Sequence, residues 1–454
     1  MNPCGRSARL CSTLALALLL EALLLATARA EDMALPAAVS VNEGLAAYPP
    51  LPSRLTLGEA LRIYRERGYD LLIADAAVLN AVGGLQSSKQ IVNPSFAFAY
   101  GRSFGPVEDP NAFSGSLFDN GAILDAIAVG KRRLRIEVAQ AAVDSQKMSR
   151  VDAERGLVST FKQQWVACVA AKRQLDENEK ILNSQQETLD LILIRYKAGA
   201  ASEVDTSSQQ TATYEAAQQV DIARQAYQQA KEGLSFLLGV RGKTPDFDVD
   251  GALFEAHLPP DTESDTLSSL HDFAYDHRPD IVAQRLQLKE AAASKELAQR
   301  QAVPDISLGV GYAQQGSGTT AITPPTVSIG VAVTLPFFYL QQGEVTMALA
   351  NLRTQQVTLA KLEAQVLSDV DSAYSALVAA RSRRNRLEKG YLQQSKLAAD
   401  LTKIQYEKGA ASLVDYLVAE RNYIATVQSY VQSINDVWTA VFQLEAAIGR
   451  EFKS

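Results

Sequence analysis

Two long tracts of the chain have apolar residues at helical spacing and contain no proline. None of the 16 prolines lies between Asn111 and Thr244, and none follows Pro336. Because a proline inside a helix removes a hydrogen bond and clashes with the preceding turn, such tracts can form very long helices. The first tract, from about Lys131 to Tyr196, would extend roughly 100 Å as a helix.

Apolar residues in both tracts recur at the spacing of a coiled-coil seam. In the first tract they lie seven residues apart, at Phe161, Cys168, Leu175, Leu182, Leu189 and Tyr196. In the second they alternate three and four residues apart, at Ile424, Val427, Val431, Ile434, Trp438 and Val441. We therefore predict a mainly α protein built on long coiled-coil helical hairpins.

A small β part is predicted where large apolar residues alternate with Gly, Ser, Ala and Thr. Three clear strands cover Ser95–Gly101, Asp305–Tyr312 and Val327–Leu335, and a fourth, irregular strand is expected within Ser114–Val129. This pattern is typical of a strand with lipid on one side, and also of a half-buried hairpin in a soluble protein. A membrane barrel needs about eight strands and no open edge, so three chains of four strands would have to share one barrel of about 12 strands.

Two segments, 210 residues apart (406 − 196), are nearly identical. Tyr196–Asp205 reads YKAGAASEVD and Tyr406–Asp415 reads YEKGAASLVD, with seven of ten positions the same. The same offset aligns Leu238-Gly239 with Ile448-Gly449 and Thr56-Leu57 with Thr266-Leu267. We predict an internal two-fold repeat, with a first unit over residues 55–239, a connector over 240–265 and a second unit over 266–454. Residues 31–54, rich in proline, are predicted to be extended.

The first 30 residues have the pattern of a secretory signal peptide. Arg6 and Arg9 precede an apolar stretch at Leu14–Leu25, and Ala28–Ala30 fits a small-x-small cleavage site. We predict cleavage after Ala30; the alternative, a membrane anchor, requires a longer apolar run. No later segment has about 18 consecutive apolar residues, so no transmembrane helix is predicted beyond the signal peptide.

Composition excludes several function classes. The formal net charge is −7 and no basic block occurs, so no nucleic-acid partner is predicted. Cleavage after Ala30 would leave Cys168 as the single cysteine, without an internal disulfide. Three histidines lie in or near the connector without a nearby cysteine, so we predict no metal site; they are His257, His271 and His277. With no phosphate loop and no nucleophile elbow, the chain is predicted to be neither an enzyme nor a cofactor carrier.

The repeated segments predict two helix-hairpin tips with the same local chemistry. A glycine at the end of a helix can take the left-handed conformation that closes the last turn, and Gly199 and Gly409 have that position. A serine three residues later can cap the returning helix, with an aspartate in its first turn. Those residues are Ser202 and Asp205 in the first tip and Ser412 and Asp415 in the second.

Short segments, in their order along the chain, resemble the outer membrane efflux proteins, the TolC-like outer membrane factors of Gram-negative bacteria. The segments are Leu55–Leu61, Asn93-Pro94, Arg278–Ile281, Val303–Ile306, Leu335–Phe338 and the paired Gly-Ala-Ala-Ser-x-Val-Asp stretches. The resemblance covers nearly all of residues 55–449. It implies a homotrimer with a shared 12-stranded outer membrane β-barrel above a helical tube in the periplasm, an α-barrel. It also implies a periplasmic adaptor (membrane fusion) protein and an inner-membrane pump, of RND type first, with ABC or another class as alternatives.

The resemblance implies two roles for the tips. Exposed small residues would dock the adaptor; they are Gly199, Ala200, Ala201 and Ser202 in the first tip and Gly409, Ala410, Ala411 and Ser412 in the second. Tyr406 would bind Asp205 to hold the periplasmic entrance shut, and Asp415 would contribute to an acidic ring at the constriction. Two family positions differ here: a second acidic position falls on Val418, and the basic partner of the gate falls on Ala411.

Two function classes follow. A passive export conduit accounts for the signal peptide, the long helices and the strands that recur in both halves. A secreted or periplasmic coiled-coil protein with a structural or adhesive role accounts for the helices and the signal peptide, but not for the recurring strands. Membrane fractionation separates them, since a barrel requires detergent. The exported substrate stays open among metals, drugs and peptides.

Overall fold

The computed structural model describes residues 51–452 apart from gaps at 103, 105–110, 122–124, 126–129, 241, 256–257, 260–265, 317–320, 322 and 334. The predicted signal peptide, residues 31–50 and His257 therefore lie outside the described part. The chain divides into two compact units. In the described part, one contains Ala81–Ala142 and Lys289–Thr354, and the other comprises the rest. Each unit takes its segments from both halves of the sequence.

The described part of the chain contains ten α-helices and six strands. The helices are α1 (Leu57–Arg67), α2 (Tyr69–Lys89), α3 (Lys131–Lys197), α4 (Glu203–Leu237), α5 (Ala252–Glu255), α6 (Leu267–His277), α7 (Pro279–Gln301), α8 (Gln342–Arg386), α9 (Leu392–Glu407) and α10 (Leu413–Ile448). The strands are β1 (Arg54–Leu55), β2 (Ser95–Arg102), β3 (Asn111–Phe118), β4 (Asp248–Val249), β5 (Ile306–Gln315) and β6 (Thr323–Val333). A π-helical segment, Leu387–Tyr391, joins α8 to α9.

The first unit contains an antiparallel sheet in the order β2-β3-β5-β6. The three clear strands are confirmed, although β6 begins earlier than predicted and includes Pro324 and Pro325. These prolines are tolerated because they lie at the start of β6, which within one chain is an edge strand. The irregular strand is confirmed in part: β3 starts at Asn111, before the predicted range, and overlaps that range at Ser114–Phe118. Residues 122–124 and 126–129 of the range lie outside the described part, and Asn120 and Gly121 have positive φ angles of 52° and 77°.

The register of the sheet puts large apolar side chains from all four strands on one face. Residues paired across strands point the same way, while neighbours along a strand point opposite ways. One cross-strand row consists of Phe96, Leu117, Val310 and Ile329; the adjacent row consists of Ala97, Ser116, Gly311 and Ser328. The four members of the first row are all about half exposed or more. In a single chain this apolar face is therefore uncovered.

The second unit packs its helices around an apolar core. Phe161 and Trp165 of α3 are completely buried and share one cluster with Val437 and Val441 of α10. Tyr64 of α1 stacks on Phe161, with ring centroids 4.6 Å apart. Truncating an aromatic side chain in such a core costs about 3–5 kcal/mol.

The seam predicted for α10 is confirmed in its second part. Val431, Ile434, Trp438 and Val441 are buried, and Ile424 and Val427 are partly buried. Cys168, predicted as a small core residue, is fully buried in α3.

The seam predicted for α3 is wrong beyond Cys168. Leu175, Leu182 and Leu189 are partly buried and Tyr196 is 44% exposed, whereas the buried positions of this part are Asn178, Gln185, Thr188 and Ile192. The reason is that partners change along the 67 residues of the helix. Near Phe161 the partners include α1 and α10, and near Gln185 they are α4 and α10, so the buried stripe moves around the helix.

The Arg278-Pro279-Asp280 segment ties three helices of the second unit together. Pro279 is the first residue of α7, a position where proline is tolerated. The buried guanidinium of Arg278 donates to Asp280 at 2.6 Å, to Asp369 of α8 at 3.2 Å and to the carbonyl of Ala447 in α10 at 3.2 Å. The segment therefore connects α7, α8 and α10 and has a structural role.

Among the described helices, α2 alone is long and apolar enough to cross a membrane when length and composition are the criteria. It contains Asp70, Asp75 and Asn80, so its apolar residues do not form an uninterrupted run of about 18. Asp75 forms an ion pair with Arg150 of α3 at 2.7 Å.

Candidate functional site at the hairpin tips

The two tips close with the same hydrogen bonds. The first hairpin is α3 with α4, and the second is α8, α9 and α10. Gly199 and Gly409 both have φ of 75°, the left-handed conformation predicted for them. Their N–H groups donate to Tyr196 and Tyr406 carbonyls at 2.9 and 3.0 Å, and the next N–H, five residues beyond its acceptor, donates at 2.8 Å in both tips. This is the Schellman pattern of helix ends, in which glycine avoids the strain of a left-handed backbone.

The returning helices begin with matching capping boxes. The Ser202 hydroxyl accepts from the Asp205 N–H at 3.1 Å, and the Asp205 carboxylate accepts from the Ser202 N–H at 2.9 Å. Ser412 and Asp415 make the same pair of bonds, at 3.2 and 3.1 Å. The capping predicted from the sequence is confirmed. It leaves the small residues of both tips exposed, except Ala201 and Ala411, which are partly buried.

A small apolar cluster joins the two hairpins near the tips. This tip cluster consists of buried Ile192, Leu413 and Tyr416, bordered by Ala201, Tyr406 and Leu417. The rings of Tyr406 and Tyr416 stack with centroids 6.1 Å apart.

Arg195 is a site residue that the sequence did not reveal. Its guanidinium donates to the carbonyls of Tyr406 and Glu407 at 3.3 and 2.6 Å and lies 5.0 Å from the Tyr406 ring centroid. A cation near a helix C-terminus is favoured by the helix dipole. A basic residue of the first hairpin thus binds the end of α9, although the position expected to be basic is Ala411.

The predicted gate pair is not joined within one chain. The Asp205 carboxylate serves its capping box, and the Tyr406 ring lies between Arg195 and Tyr416. No hydrogen bond links Tyr406 to Asp205 in the described part of the chain. The gate stays a prediction.

Asp415 lies in an open cleft of about 720 Å³ between α9 and α10. Its hydrogen bonds with the Ser412 hydroxyl and N–H lower its pKa, so it is a carboxylate at neutral pH. Small and polar side chains line the cleft, among them Ala398, Ala411 and Ala419, with Val418. The predicted acidic position therefore faces a groove of small residues.

A layer of polar side chains lies beside the tip cluster and also joins the hairpins. This polar layer consists of Gln185 and Thr188 of α3, Gln209 of α4, and Tyr416 and Glu420 of α10, all buried. The Gln209 amide donates to the Gln185 side chain at 2.6 Å, and the hydroxyls of Thr188 and Tyr416 lie 3.4 Å apart. The sequence did not predict this layer, because in a glutamine-rich stretch the residue type does not show which amide is buried and which is solvated.

None of the described His, Cys, Asp and Glu side chains forms a group that could hold a metal ion. His271 contacts Asp371 at 2.8 Å, and His277 stacks on Phe273. Burial raises the pKa of Cys168 to about 12, so its thiol is unreactive.

Comparisons with known proteins agree on one family. A family model described as outer membrane efflux protein matches residues 124–240 and 270–450. The pyoverdine export outer membrane protein OpmQ of Pseudomonas putida is 23% identical over 300 residues, 64% of this chain and 62% of OpmQ. The cation efflux system protein CusC of Escherichia coli is 25% identical over 297 residues, 62% of each chain. The matches thus span less than two thirds of either relative's length.

Solved structures share the fold. A crystal structure of CusC superposes with a TM-score of 0.72 over 87% of this chain and 92% of that one, at 17% identity.

Proposed function

We propose a function from one premise: this chain belongs to the outer membrane efflux protein family. Membership assigns it to transport rather than catalysis. It is the outer membrane channel of a tripartite export system, a passive conduit through the outer membrane and the periplasm. An inner-membrane pump supplies the energy, and a periplasmic adaptor connects the two. We also propose the repeat boundaries predicted from the sequence, residues 55–239 and 266–454.

The observation that carries this function is the sheet of the first unit. Its large side chains are collected on one face and are exposed, as on the lipid side of a barrel. Its edge strands are β2 and β6, and every neighbouring pair in the sheet is antiparallel. The β2 strand of a second copy can therefore continue the ladder at β6 in the antiparallel sense. Three copies of four strands close a barrel of 12 and leave no edge in lipid.

The tips are the proposed periplasmic end of the conduit. The small residues at Gly199–Ser202 and Gly409–Ser412, exposed except for Ala201 and Ala411, allow close approach of an adaptor helix, and the cleft beside Asp415 is also lined by small residues. In the assembled trimer, Tyr406, Asp205 and Asp415 are the residues proposed to close the entrance.

Family membership alone does not identify the cargo. OpmQ is named for pyoverdine export and CusC for cation efflux, and the two have similar identity to this chain. Two relatives of similar identity to this chain are thus named for different cargoes. This agrees with a conduit in which the pump mainly determines the exported substrate.

Cysteine cross-linking tests the shared barrel. On the face of the sheet that carries the small side chains, the candidate positions are Ala97 and Ala99 of β2 and Gly330 and Ala332 of β6. Each double variant has one of the β2 positions and one of the β6 positions replaced by cysteine. We expect detergent-extracted outer membranes to yield covalent trimers for the pairs in register. Single-cysteine variants are the controls and should stay monomeric on a non-reducing gel. A water-soluble monomer without cross-links for any pair would exclude the conduit.

A further inference from the structure

Glu420 is a buried acid without a cationic partner. It is 8% exposed, and no ion pair in the described part of the chain includes it. Its Oε2 atom is buried and has no hydrogen-bond partner, and the same is true of Oε1 of Gln209 in the same layer. A buried carboxylate left in this state costs several kcal/mol.

The ionised form of Glu420 has few partners in this layer. Tyr416 and Gln185 favour that form and lower its pKa, but by less than burial raises it, and the Gln209 amide is already donated to Gln185. Two acceptor oxygens of the layer, Oε2 of Glu420 and Oε1 of Gln209, are therefore left without a donor. A proton on Glu420 supplies the missing donor.

Charges on the surrounding helices do not compensate for the burial. The residues that α3 and α4 contribute to the polar layer are neutral amides and a hydroxyl. Glu215 of α4 is paired with Arg421 of α10 at 3.0 Å, and the positive charge of Lys403 on α9 lowers the pKa of Glu420. Burial raises the pKa of Glu420, and the opposing effects of Tyr416, Gln185 and Lys403 are smaller.

We propose that the protonated Glu420 carboxyl holds the two hairpins together through the polar layer, and that its ionisation loosens them. The released proton passes to water, and a cleft of about 300 Å³ between α3, α4 and α10, lined in part by Gln185, gives water a path to the layer. The effect of this ionisation on transport rests on the proposed function. The contact between the two hairpins through the polar layer, called the junction below, does not rest on it.

The direction of the pH effect follows from linkage. Glu420 binds its proton more tightly when the hairpins are packed than when they are apart, so packing is fully stabilised below the ordinary glutamate pKa. This stabilisation is lost as pH rises through the raised pKa. Each unit of difference between the two states multiplies the opening constant by about ten.

Hydrogen exchange on the full-length protein in detergent tests the junction. Protection factors, corrected for intrinsic exchange, are measured for residues 413–424 between about pH 5 and pH 8. We expect the wild-type factors to fall with rising pH, and those of Glu420→Gln to stay high and constant, because the amide imitates the protonated acid. Equal slopes in both proteins would overturn the inference.

Two further variants separate the proton from the packing. Glu420→Leu is also neutral and should give constant protection even if its level is lower. Glu215→Gln removes an exposed acid of the same junction and should keep the wild-type slope. A pH slope in Glu420→Leu, or its loss in Glu215→Gln, would contradict the role of Glu420.

Conductance of the same proteins in planar bilayers distinguishes the junction from the conduit. Conductance that rises with pH in the wild type, and not in Glu420→Gln, supports both. Exchange that depends on Glu420 in a protein that forms no channel supports the junction and overturns the proposed function.

Discussion

The two hairpins have tips closed by the same backbone and capping hydrogen bonds, but the helices that lead to these tips differ. In the first hairpin, α3 runs for 67 residues without interruption. In the second, α8, the π-helical segment and α9 have 45, 5 and 16 residues, nearly the same length in three parts. The tips match because their hydrogen bonds are made within six residues. Helix continuity depends on what each helix packs against.

Packing near the tips is also unequal. The distal part of α3 buries Asn178, Gln185, Thr188 and Ile192, whereas α9 buries Ser395 and Ala399. The π-helical segment contains Gly390, which lowers helix stability, and π-turns often mark functional positions. Fewer buried contacts and an interrupted helix predict that the second hairpin opens locally before the first.

The largest effect is expected where the hairpins touch. Tyr416→Ala removes the buried ring shared by the tip cluster and the polar layer and should cost about 3–5 kcal/mol. Hydrogen exchange should then increase at both tips. Tyr214→Ala, on an exposed position of α4, is the control and should stay within about 0.5 kcal/mol. Unchanged tip exchange in Tyr416→Ala would mean that the hairpins are held elsewhere.

The capping serines test the equality of the tips. Ser202→Ala and Ser412→Ala each remove one capping box and should cost about 1 kcal/mol. Thermal unfolding gives the loss of stability, and exchange at residues 203–206 and 413–416 locates it. Because the capping geometry is the same, the losses should agree. Exchange that rises more in the second tip would confirm that this hairpin is the softer one.

The π-helical segment gives a smaller effect of opposite sign. Gly390→Ala should stabilise the second hairpin by about 0.5–1 kcal/mol, because alanine is the better helix former and a Cβ at this position meets no atom within 4 Å. Gly156→Ala in α3 is the matched control, since Gly156 is equally open. We expect exchange around residues 387–400 to slow in the first variant and not in the second. An equal change in this exchange in both variants would mean that the π-helical segment does not make the second hairpin less stable than the first.

The smallest effect on stability belongs to the predicted gate. Tyr406→Phe should change the free energy of unfolding by less than about 0.5 kcal/mol, because its ring contacts are kept. Conductance in a planar bilayer should nevertheless rise if the hydroxyl closes the entrance in the trimer. Tyr196→Phe, at the repeated position of the first hairpin, is the control. Equal conductance in both variants would leave Tyr406 with a structural role.

The sequence by itself determined the features whose partners are close along the chain. Proline placement predicted the long helices, period-two alternation predicted three strands, and the glycine and serine spacing predicted both tips. These features are local: a cap or a turn satisfies its hydrogen bonds within a few residues, so the residue types alone indicate the geometry.

Only the tertiary structure decided which distant residues meet. It moved the buried face of α3 from Leu175 and Leu182 to Gln185, placed Arg195 on the end of α9, and brought Glu420 next to the Gln185 amide, 235 residues away in the chain (420 − 185 = 235). A coiled-coil pattern indicates that a helix has a buried face, but the helices packed against it determine which face is buried. Burial then decides whether a glutamate is a solvated charge or holds a proton.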